Sequence, residues 1–126
     1  MAYSLYFWRE TEAALATADE VCAQLCEELA VPGVAQLPMD RIRQSFVDAF
    51  PGIKEGASGL EWEGSGSYFE VEWSPACCNL LTVLCGYKLL KSPDTMNRII
   101  DVAAKFGCAL YDPQTGERYQ QPDPAT

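Results

Sequence analysis

No stretch restricts the fold more than residues 91–116, KSPDTMNRIIDVAAKFGCALYDPQTG, which carries a helix marked at both ends and a strand that must follow it. The Ser92 hydroxyl can accept a hydrogen bond from an N–H of the first turn. Pro93 suits the first helical position, where no N–H is missed, and Asp94 complements the positive end of the dipole. Met96, Ile99, Ile100, Ala103 and Phe106 recur at helical spacing on one face, with Asn97, Arg98, Asp101 and Lys105 elsewhere. Gly107 can take the left-handed conformation that closes a helix. Residues 108–111 then read as a strand and 112–116 as the turn that ends it.

The rest of the chain supplies partners for these elements. Residues 4–8, SLYFW, read as a first strand, and a strand this early needs partners from later in the chain, which places it inside a sheet. Thr17 and Glu20 form a capping-box pattern that opens a helix over 17–29, with Ala18, Val21, Cys22, Leu25 and Leu29 as its buried stripe. Two prolines and a glycine break residues 31–38. Asp40 is the expected cap of a second helix, whose apolar face is Ile42, Phe46, Ala49 and Phe50, ended by Pro51-Gly52. Residues 54–59 read as a loop.

Residues 60–63 and 68–73 alternate cleanly about Gly64-Ser65-Gly66-Ser67, the pattern of a hairpin. Leu60, Trp62, Phe69, Val71 and Trp73 share one face. Glu61, Glu63, Tyr68, Glu70 and Glu72 share the other. A one-residue slip would bury glutamates, so the register is well specified. Residues 79–87, apolar on both faces, read as a central strand.

The order β-α-α-β-β-β-α-β predicts an α+β domain of about five mostly antiparallel strands with about three helices on one face, a ferredoxin-like or related two-layer sandwich. At 126 residues the chain is long enough for a single core, expected over 1–119 and followed by a polar, proline-rich tail at 120–126.

Charge and composition narrow the function. Nine Lys and Arg against eighteen Asp and Glu leave a net charge of −9. Such a surface repels nucleic acid and anionic membranes and attracts basic proteins. Histidine is absent, which removes Ser-His-Asp and Cys-His catalysis and His-ligated zinc. The opening MAYSLYFWRE lacks a basic region, and no run approaches the roughly 20 apolar residues of a membrane span, so a cytoplasmic protein with reduced cysteines is expected.

Three constellations could carry chemistry. If Glu63 pairs with Tyr68 in the hairpin, Glu61 lies opposite Glu70, an unfavourable juxtaposition that a basic partner would relieve. Hydrated surface is the plain alternative. An open strand face lacks the apolar pocket that would set one carboxyl apart as an acid. Among the six cysteines, Cys22, Cys26, Cys77 and Cys78 could supply four thiolates to zinc, but the usual C-x-x-C spacing is missing. Cys85 and Cys108 read as core residues. Tyr3, Tyr6, Trp8, Trp62, Phe69 and Trp73 read chiefly as core packing.

The aromatic first strand SLYFW and the closing strand that runs into DPQTGE resemble small bacterial proteins of the toxin-immunity type. The resemblance implies a cytoplasmic protein that neutralises a toxin by covering a surface, and it carries over no catalytic residue. The expected function is a non-enzymatic module that holds a basic protein through Glu61, Glu63, Tyr68, Glu70 and Glu72, with no cofactor and no metal. A cysteine-dependent enzyme using Cys77 or Cys78, and a subunit that oligomerises through an open sheet edge, are the competing readings.

Overall fold

In the computed structural model, which describes residues 2–11, 17–56, 59–64, 67–73, 78–86, 93–113 and 117–119, β1 (Ala2–Trp8) lies inside the sheet. It pairs antiparallel with β5 (Leu81–Gly86) on one side and with β6 (Ala109–Asp112) on the other. The hairpin strands β3 (Gly59–Gly64) and β4 (Ser67–Trp73) extend the sheet beyond β5. Two short edge strands, β2 (Lys54–Glu55) and β7 (Glu117–Tyr119), complete seven strands among the described residues, in the order β2-β3-β4-β5-β1-β6-β7. With the helices α1 (Ala18–Cys26), α2 (Met39–Ala49) and α3 (Pro93–Lys105), this is the expected α+β class.

The period of two along β1 divides the interior. Leu5 and Phe7 join the larger core, where Ile42 and Phe46 of α2 and Ile99, Val102 and Ala103 of α3 pack on the sheet. Tyr6 and Trp8 face the other way, into a smaller cluster with Val21, Cys22 and Leu25 of α1. Thus α2 and α3 form the expected helical layer, and α1 covers part of the opposite face. Phe46, Phe50, Trp62 and Phe69 make an aromatic knot at the heart of the larger core, with Phe50 and Phe69 edge to face at 4.9 Å between centroids. Phe46, Phe50 and Phe69, which are fully buried, contribute about 1.5–3 kcal/mol each by burial.

The capping box forms as the residue types require. The Glu20 N–H donates to Thr17 Oγ1 at 3.3 Å, and the Thr17 N–H donates to Glu20 Oε2 at 3.4 Å. The helix is shorter than the 17–29 expectation. Glu27 caps it, Glu28 turns left-handed with φ 62°, and Leu29, expected in the buried stripe, is 47% exposed. Asp40 does not cap α2. Pro38 stands at the cap without a side-chain bond, because Met39 is drawn into the core and the helix starts there. Residues 54–59, expected as a loop, contribute β2 because Lys54 and Glu55 pair with Glu61 and Leu60 at the hairpin's outer edge. Ser92, Cys77, the turn at 114–116 and the tail at 120–126 lie outside the described residues.

Candidate functional site

The hairpin has the register that its alternation predicts. Glu63 pairs with Tyr68, Glu61 with Glu70, and Gly59 with Glu72. Leu60, Phe69 and Val71 are buried under α2 and α3, with Trp62 and Trp73 half-buried beside them. Among the described residues no helix covers the opposite face on this half of the sheet, since α1 packs at the β1 and β6 end. Glu61, Glu63 and Glu72 are exposed there, Glu70 is half-buried, and the Tyr68 ring is 39% exposed.

Tyr68 is seated rather than loose. An ideal Cβ at Gly86 would lie 2.7 Å from two ring carbons of Tyr68, so the missing side chain makes room for the ring on the sheet. The result is one aromatic platform beside a row of carboxylates.

None of the side-chain carboxylates of Glu61, Glu63, Glu70 and Glu72 has a hydrogen bond or ion pair among the described residues. Lys54 stands across from Glu61, the one cation that the sheet register brings to this row among the described residues, and it makes no ion pair there. Arg43, by contrast, serves the other side of the sheet. Its guanidinium carbon lies 5.1 Å from the centre of the Trp73 ring, and its Nη1 is 4.0 Å from Glu55.

Two grooves run over the acidic face. The first, about 450 Å³, is lined by Lys54, Gly59, Glu61, Glu70 and Glu72. The second, about 310 Å³, lies between the end of α1 and the β4–β5 pair, with Cys26, Glu28, Glu72, Asn79 and Thr82 on its walls. Glu72 borders both grooves.

No family model, curated protein or solved structure matches this chain. Its site is read from its own geometry.

Cys22 and Cys85 have little of the character that nucleophilic chemistry needs. Cys22 is buried, and burial, with the neighbouring Cys26 thiol, pushes it up to about 12; burial pushes Cys85 to about 12 as well. Both therefore remain protonated at neutral pH. Cys108 is buried in the core as expected, and Cys78 is half-buried. Among the described residues no three His, Cys, Asp or Glu side chains gather to hold a metal ion. Nor is any helix there long and apolar enough to cross a membrane.

Beneath α1 the Tyr111 hydroxyl donates to Asp19 Oδ1, which raises the Tyr111 pKa to about 12 with help from burial. Burial is also the main cause of the raised Tyr6 pKa, followed by the charges of Cys26 and Cys22. These groups tie α1 to the sheet. Sequence reasoning finds Glu61, Glu63, Tyr68, Glu70 and Glu72 together on one face, and misses Lys54, Glu28 and Asn79. A lone amide at the head of the apolar run 79–87 is the only signal that points to Asn79. Nothing local marks Glu28.

Proposed function

We infer that this protein is a non-enzymatic binding module of the immunity type, which holds a basic protein against its acidic strand face. The observation that carries the reading is the direct pairing of Glu61 with Glu70, on a face whose carboxylates make no ion pair among the described residues. Like charges across a strand pair cost up to about 1 kcal/mol, and a cationic ligand turns that cost into attraction. Tyr68 adds an aromatic anchor of the kind that concentrates binding energy at interfaces. The four carboxylates share one open surface, which suits recognition of cations and offers no enclosed acid–base pair.

The test is capture of a partner from lysate of the organism that makes the protein, with washes at low and then high salt. A basic protein retained at low salt is then titrated against wild type and a variant with Glu61, Glu63, Glu70 and Glu72 all changed to Ala. The reading expects affinity to fall by about tenfold or more. Unchanged affinity removes the proposed face.

A further inference from the structure

The second groove contains a polar group that the described residues satisfy only in part. Asn79 is 6% exposed, the one polar residue in the buried interior among the described residues. Its Nδ2 donates to the Leu29 carbonyl at 3.1 Å, and its Oδ1 has no donor among the described residues. A buried carbonyl oxygen without a donor is costly, and native structures seldom leave one so. Around Asn79 the groove offers further acceptors: the carboxylate of Glu72 and the hydroxyl of Thr82. Leu25 and Leu80 supply apolar wall between them.

We propose that this groove is an arginine-anchoring subsite, in which a partner's guanidinium donates to Asn79 Oδ1 and to the Glu72 carboxylate. It rests on the proposed basic partner and names the side chain that partner uses. The chemistry favours guanidinium over ammonium. A planar fork with five donors serves separated acceptors at once, and its weaker hydration lets it enter a half-apolar groove. The alkyl stem lies along Leu25 and Leu80, as long cationic side chains do on apolar surface. A volume of about 310 Å³ admits one such side chain and excludes a folded element. A second copy of this chain is a poor occupant, because each copy carries a net charge of −9.

The probes are Nα-acetyl-arginine methylamide and Nα-acetyl-lysine methylamide, titrated into the ¹⁵N-labelled protein and read by amide chemical shifts. The arginine probe is expected to give saturable shifts at the Asn79 side-chain amide and the Thr82 backbone amide, with about tenfold tighter binding than the lysine probe. Glu72→Gln, on an exposed strand position, should weaken it about tenfold, while the equal charge change Asp101→Asn on α3 leaves it unaltered. Equal binding of the two probes, unsaturable shifts, or indifference to Glu72→Gln overturns the subsite. If the arginine probe fails while a basic protein still binds through Glu61 and Glu70, the subsite falls and the proposed function stands. If the probe binds as expected and the protein has no basic partner, the proposed function falls and the subsite stands.

Discussion

Glu28 occupies in α1 the position that Gly107 occupies in α3. Both are left-handed, with φ 62° and 76°, and both helices close with the same two hydrogen bonds. In α1 the Glu28 N–H reaches the Leu25 carbonyl and the Leu29 N–H the Gln24 carbonyl; in α3 Gly107 reaches Ala104 and Cys108 reaches Ala103. Glycine takes this conformation without strain, and a residue with a Cβ does not.

The pair therefore responds oppositely to substitution. Glu28→Gly should stabilise the protein by about 1 kcal/mol, read from the midpoint of chemical denaturation. Gly107→Ala should destabilise it by about 1 kcal/mol or more, since an added Cβ also meets the Arg9 side chain at 3.2 Å. Glu28 also lines the second groove, so the strained residue borders the proposed subsite.

The acidic row makes a second prediction. Glu70→Gln relieves the charge directly opposite Glu61, so it should raise thermal stability by a few tenths to about 1 kcal/mol at low salt. The gain should shrink as salt screens the pair, which thermal melts at two ionic strengths will show.

Packing makes a third. Phe69 is fully buried and meets Phe46, Phe50 and Trp62. Phe69→Ala should cost about 3–5 kcal/mol, because neighbours anchored on α2 and β3 cannot all collapse into the space. Equilibrium denaturation measures it. A cost near 1 kcal/mol would contradict the packing described here.

Alkaline pH makes a fourth. Cys22 and Cys85 rise from an ordinary value of 9.0 to about 12, and Tyr111 from 10.0 to about 12. The folded chain keeps protons that the unfolded chain releases in this range, so these groups favour unfolding as pH rises. Their contribution is fully present below pH 9 and is lost between 9 and 12. Denaturation midpoints should be level on their account below that window and fall through it. Tyr111→Phe should flatten the upper part of the decline.

How far the sequence speaks depends on whether a signal is local. The capping box at Thr17, the left-handed exit at Gly107 and the hairpin register of Glu61 with Glu70 are each written in a few adjacent residues, and all three form. Asp40 misleads because a cap-forming residue one position inside a helix looks the same as a cap, and burial of Met39 decides between them. Lys54 and Glu55 have no strand character of their own; the open edge of β3 makes them a strand. Leu29 leaves the buried stripe because Glu28 accepts a conformation that favours glycine. The acidic face is legible in the same local way, from alternation alone. The groove is not, because Glu28, Glu72 and Asn79 meet only when α1 lies against the sheet.

The most direct measurement of the central claim is the association rate of the captured basic partner at rising ionic strength. It compares wild type with a variant in which Glu61, Glu63, Glu70 and Glu72 are Gln. Electrostatic steering predicts a rate that falls steeply with salt, and a variant slower by about tenfold at low salt. A wild-type rate that ignores salt and matches the variant would contradict the account, and would leave the acidic face as hydrated surface.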